Sequence, residues 1–86
     1  MIQPQKKVDN KVEKIILGID PGTMYMGYGV ISVVGTKMKF IDMGILDLKK
    51  EDDTYMKLKK VYDFTTALID KFLPDEFAIE AQFFGK

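Results

Sequence analysis

The stretch Ile15-Ile16-Leu17-Gly18-Ile19-Asp20-Pro21-Gly22-Thr23 constrains this chain more than any other. An apolar run closed by Pro-Gly suits a strand covered on both faces, and therefore a central one. The run ends on a carboxylate, so a charge stands at the mouth of the most apolar strand. Two readings of Asp20 compete. Asp-Pro-Gly is a favoured turn sequence in which the Asp oxygen accepts a backbone N–H. Alternatively, the carboxylate is fixed there to hold a metal.

Composition narrows the chemistry. The 86 residues suffice for one domain or part of one, and 47% hydrophobic content marks a globular chain rather than a disordered one. Cysteine and histidine are absent, which removes disulfides, thiolate or imidazole zinc sites, Cys nucleophiles and His bases together. Catalysis would have to run on carboxylates, hydroxyls, lysines or a hard metal. Thirteen basic residues, all lysine, balance thirteen acids, so attraction to nucleic acid requires local segregation of charge. No 18-residue apolar stretch occurs and no signal-peptide core opens the chain. A soluble, cytoplasmic chain with no membrane partner is expected.

Residues 1–13 are polar and lysine-rich without periodicity, which predicts a flexible tail ahead of a domain over 14–86. Within the domain, 14–20, 27–34 and 38–48 read as strands, with Gly35 ending the second, and their short connections predict an antiparallel meander. A helix follows, with Asp52, Asp53 and Thr54 as candidate caps. Leu58, Val61/Tyr62, Thr65, Leu68/Ile69 and Phe72 draw an apolar stripe along it. Leu73-Pro74 ends it, because the residue before proline is pushed out of the α region. Residues 76–80 read as a fourth strand. Reached through a helix, it should lie parallel to the first by a crossover. The expected fold is α/β: a mixed sheet in the order 3-2-1-4 with one crossover helix.

That order carries the functional expectation. Parallel neighbours share their carboxyl ends, so Asp20 and Glu80 should meet on backbones about 5 Å apart. Two like charges so close require either a retained proton or a cation. With oxygen donors alone, that cation is Mg²⁺, for which Mn²⁺ can substitute. Taken singly, Asp20 fits a turn as well as a site, and a glutamate at a strand end is ordinarily just solvated.

The motif GIDPGT, then Gly27-Tyr28-Gly29-Val30-Ile31, then Leu73-Pro74-Asp75-Glu76 running into Ala78-Ile79-Glu80 and Phe83-Phe84, resembles the amino-terminal half of the RuvC family over residues 15–86. These are crossover-junction (Holliday junction) endodeoxyribonucleases with a ribonuclease-H-like fold. The resemblance implies that Asp20 bridges two Mg²⁺ ions, that Glu80 binds one of them, and that the metals polarise a scissile phosphate and orient a water. It implies a four-way DNA junction as substrate and a homodimer for the full-length protein. Phe83 matches an aromatic placed against unpaired bases, with core packing as its alternative; Phe84 reads as core. Gly22 and Thr23 would lie against the DNA backbone, though Gly22 also suits the positive φ of a type II turn.

Two departures from the family pattern stand out. Met24-Tyr25-Met26 occupies a loop where the family often has polar or basic residues. The sequence also stops before the family's two carboxy-terminal aspartates, so the chain alone is expected to cleave poorly and to dimerise weakly or not at all. Two further classes fit parts of the sequence. An ATP-binding sugar-kinase or actin-like domain also opens with G-I-D-x-G-T, but calls for no Glu80. A non-catalytic DNA-binding fragment calls for neither carboxylate.

Overall fold

The apolar run lies in the middle of a sheet, as its composition requires. In the computed structural model, which describes residues 7–8 and 11–80, the elements are β1 (Lys7–Val8), β2 (Lys11–Asp20), β3 (Tyr25–Val34), β4 (Lys37–Asp47), α1 (Thr54–Phe72) and β5 (Glu76–Ile79). β2 pairs antiparallel with β3 from Glu13↔Val34 to Asp20↔Gly27, and β3 pairs antiparallel with β4 from Val34↔Lys37 to Tyr25↔Asp47. β5 pairs parallel with β2 from Ile16↔Glu76 to Ile19↔Ile79. The lateral order β4-β3-β2-β5 is the expected one. The tail expected over 1–13 is partly replaced by strand. Lys7–Val8 pairs with Lys11–Val12, filling the edge of β2 that β5 does not reach and satisfying backbone groups there. Residues 1–6 and 9–10 lie outside the described residues.

Alternation along β2 sends Ile15, Leu17 and Ile19 to one face, where they form the core with Met26 and Val30 of β3, with Leu48, and with Leu68 of α1. The helix packs on this face through Val61, Phe64, Leu68 and Phe72. That stripe is rotated from the predicted one. Leu58 and Tyr62 are 65% and 70% exposed, while Phe64, absent from the prediction, stacks obliquely on Tyr28 with ring centroids 5.6 Å apart. Two apolar stripes run along α1, and periodicity cannot say which one meets the sheet. The helix begins on Asp53, whose carboxylate accepts from the Tyr55 N–H. It ends at Leu73, whose left-handed backbone (φ 47°, ψ 58°) lets its N–H return to the Ile69 carbonyl.

Register between β2 and β5 is set by a residue the sequence did not single out. The Asp75 carboxylate accepts the Ile15 N–H at 2.8 Å while the Asp75 N–H donates to the Ile15 carbonyl at 2.7 Å. At the far end the Glu80 N–H donates to the Ile19 carbonyl at 3.1 Å. The exposed Lys14–Glu76 ion pair adds little in water. Asp75→Ala strands the Ile15 N–H and should lower stability by about 1–2 kcal/mol, with Asp75→Asn losing less because an acceptor remains. Urea unfolding followed by circular dichroism checks this; an unchanged midpoint for Asp75→Ala would show that the pairing is held elsewhere.

Candidate functional site

The face of the sheet opposite α1 carries two of the predicted site residues, Asp20 and Glu80. Asp20 follows the inward-facing Ile19 and so projects from the open face, at the last position of β2. A Cβ added to its partner Gly27 would lie 3.8 Å from the Asp20 Cβ, which places both on that face. Along β5, Ala78 pairs with Gly18, and Glu80, two residues on, falls on the same side beside Asp20. Both residues line an open depression of about 530 Å³. Its floor is Gly18, Gly27, Gly29 and Ala78, and Met43 and Ile45 of β4 stand along one side. Glycine at 29 leaves open space, with no atom within 4 Å of where a Cβ would be.

This geometry separates the two readings of Asp20. Five other aspartates in the described residues (Asp42, Asp47, Asp53, Asp63 and Asp75) accept hydrogen bonds, three of them from backbone N–H groups. The Asp20 carboxylate accepts none from any described residue, so it does not hold the turn that follows it. The turn is held from outside. The Leu48 N–H donates to the Met24 carbonyl at 2.7 Å, and Lys57 Nζ to the Thr23 carbonyl at 3.1 Å. Lys57 was not foreseen, because helical periodicity marks it only as lying off the apolar stripe. Gly22 also differs from expectation. It has no positive φ; glycine is required because a Cβ would lie 2.4 Å from the Tyr25 carbonyl oxygen. Met26 is core, 1% exposed, whereas Met24 and Tyr25 are exposed.

Tyr28 braces the β3–β4 side of the site. Its ring lies across Gly44, where a Cβ would come within 2.8 Å of it, and its hydroxyl donates to Asp42 at 2.9 Å. Burial pushes the phenol above its ordinary value, and the Asp42 acceptor adds to the shift. The stability this proton contributes is complete below the free phenol value of about 10 and is lost as pH rises through the folded one. A β-bulge between Val30 and Ile31, also unforeseen, lets Phe40 and Met43 share the open face although one is even and the other odd.

The donor set is two carboxylates with no third acid or other metal-binding side chain close enough to complete a cluster among the described residues. Hard oxygen donors on neighbouring strands fit a hard divalent cation and would supply part of its coordination. Phe83 lies outside the described residues.

A family model for the crossover junction endodeoxyribonuclease RuvC matches residues 16–86. The chain belongs to the RuvC family. It is 55% identical over 86 residues to a crossover junction endodeoxyribonuclease RuvC from Bacteroides fragilis, covering all of this chain and 43% of that protein. It is 54% identical, again over its full length, to one from Christiangramia forsetii, of which it covers 45%. The chain thus spans less than half the length of these relatives. Among solved structures, Thermus thermophilus RuvC superposes with a TM-score of 0.73 at 24% identity, over 84% of this chain and 45% of that one. The same protein in complex with a Holliday junction substrate gives 0.73 at 22% identity. These structures establish the ribonuclease-H-like fold. Membership in RuvC also sets aside the sugar-kinase and actin-like reading.

Proposed function

We propose that this chain is the amino-terminal half of a Holliday junction resolvase: a metal-dependent, structure-selective DNA endonuclease of recombination and repair that acts in the cytoplasm on four-way junctions. The observation that carries the reading is the meeting of Asp20 and Glu80 on the open face of neighbouring parallel strands. Mg²⁺, or Mn²⁺ in its place, would be held by these two carboxylates and would supply charge neutralisation at a phosphodiester and an activated water. The residues of the chain do the positioning. β2 and β5 fix the two donors by backbone pairing, with Asp75 setting the register. The glycine floor lets a phosphodiester approach the backbone closely. Lys57 and Leu48 hold the loop after Asp20 clear of the depression, leaving Gly22 and Thr23 at its rim and Phe83 as the proposed contact to unpaired bases. Four-way junctions present such bases together with flanking duplex phosphates, and a homodimer of the family-length protein would place two such sites on one junction.

Two carboxylates form part of a coordination sphere, so this half should bind divalent cations weakly and cleave poorly by itself. The test is a Mn²⁺ titration of the 86-residue chain followed by electron paramagnetic resonance. One weak class of site should be seen in the wild type, with affinity reduced at least about tenfold in Glu80→Gln (about 1.4 kcal/mol of coordination). Equal binding by wild type and Glu80→Gln would refute the shared site. A non-catalytic DNA-binding role would then account for whatever junction binding remained.

A further inference from the structure

Beyond the carboxylates, the same face carries an aromatic and a cation that no part of the site described so far uses. Tyr25 opens β3 and falls on the side of Gly27, hence of Asp20, about 7 Å further along the strand. It pairs with Asp47 at the end of β4, where β2 has already stopped, so it stands just past the rim of the depression, whose β3 lining begins at Gly27. Its side chain is 46% exposed. Lys49 Nζ lies over the ring, 5.1 Å from its centroid.

The surrounding backbone is fixed. Leu48, 2% exposed, anchors the residue before Lys49, and the Leu48 N–H is tied to the Met24 carbonyl. The Lys49 N–H donates to the Asp47 carboxylate at 2.8 Å. Of the lysines near this rim, Lys57 and Lys60 are engaged with the carbonyls of Thr23 and Asp47. Lys49 makes no ion pair among the described residues and rests only on an aromatic face.

A polyanionic strand brought to two carboxylates meets repulsion, and it needs cations beside the acids to remain there. An exposed ring carrying an ammonium group offers both contacts that a nucleotide can use: a face for the base and a charge for the phosphate. The geometry points to Tyr25 and Lys49 as a DNA contact, in which Lys49 takes a phosphate next to the one at Asp20 and Glu80, and Tyr25 stacks on an unpaired base. The contact rests on the nuclease reading, and it places nucleic-acid recognition at the start of β3, in the Met24-Tyr25-Met26 stretch.

The experiment is fluorescence anisotropy of the 86-residue chain with a labelled four-way junction, between about 25 and 150 mM salt and without divalent cation. Lys49→Gln should flatten the plot of log affinity against log salt by about 0.7–0.9, the value of one phosphate contact. Tyr25→Leu should weaken binding about 5- to 100-fold with the slope unchanged, as loss of one stacked base does. Lys71→Gln, whose ammonium covers Phe72 at the opposite end of α1, serves as the control and should change neither. Wild-type behaviour of Lys49→Gln or Tyr25→Leu, effects no larger than those of Lys71→Gln, or no junction binding by the chain at all would overturn the contact. Mn²⁺ binding reports separately on Asp20 and Glu80. Intact metal binding beside unaffected DNA binding in the two variants therefore condemns this contact alone, whereas lost metal binding beside altered DNA binding condemns the metal reading instead.

Discussion

Asp20→Asn should abolish cleavage in a family-length protein while leaving this half folded, and its effect on stability should change sign with magnesium. Asn keeps the size of Asp but offers a neutral, weaker ligand, so a drop in turnover on a synthetic four-way junction of at least about 10³-fold, about 4 kcal/mol, is expected. The side chain is exposed and accepts no hydrogen bond from described residues, so its replacement should cost less than about 0.5 kcal/mol of folding free energy. Without divalent cation, the substitution removes a negative charge beside Glu80 and should make the 86-residue chain slightly more stable than wild type. With Mg²⁺ at about ten times its dissociation constant, wild type gains about 1.4 kcal/mol through binding to the folded state and the variant does not, which reverses the order. Thermal melts of both proteins with and without Mg²⁺ measure the crossing. A turn-capping Asp20 would give the opposite pattern, with a loss of stability in the variant that is indifferent to metal.

The parts of this architecture that were legible in the sequence are those set by local chemistry. An apolar run ended by Pro-Gly suited a central strand, a strand reached through a helix was expected to return parallel, and from those two steps came the expectation that Asp20 and Glu80 share one end of the sheet. What was not legible depends on choices made between elements. Residues 54–72 carry two apolar stripes, and contact with Tyr28 selects Phe64 over Leu58 and Tyr62. The β2–β5 register rests on Asp75, whose position before a strand is shared by many solvated aspartates. Gly22 matched a turn type, yet its reason is a close approach to the Tyr25 carbonyl, visible only once the loop closes on itself. The cation that holds this loop, Lys57, comes from 34 residues away. Sequence pattern thus located the carboxylates, and tertiary contacts decided what keeps them there.

Two glycines of the same sheet should respond oppositely to the same substitution, which tests whether the floor beneath the carboxylates is kept bare for a ligand. At Gly44 a Cβ would lie 2.8 Å from the Tyr28 ring, and that ring is held by Phe64 on one side and by Asp42 at its hydroxyl. Gly44→Val has nowhere to push it and should cost about 1–3 kcal/mol. At Gly29 no atom lies within 4 Å of the added Cβ, and its partner across the ladder is Gly18. A valine there suits an extended strand better than glycine does, so Gly29→Val should leave the stability of this chain unchanged or raise it by up to about 1 kcal/mol. Its methyls would nonetheless fill the depression two strands over from Ala78, across Gly18, where a phosphodiester would lie to reach both carboxylates. Mn²⁺ binding should survive, because neither ligand moves, while junction cleavage by the family-length protein should fall by at least about 10²-fold, the cost of misplacing a substrate by about 1 Å. If Gly29→Val instead destabilised this chain as much as Gly44→Val, the space at Gly29 would belong to folding, and the open face would lose its claim to be the place where DNA meets the two acids.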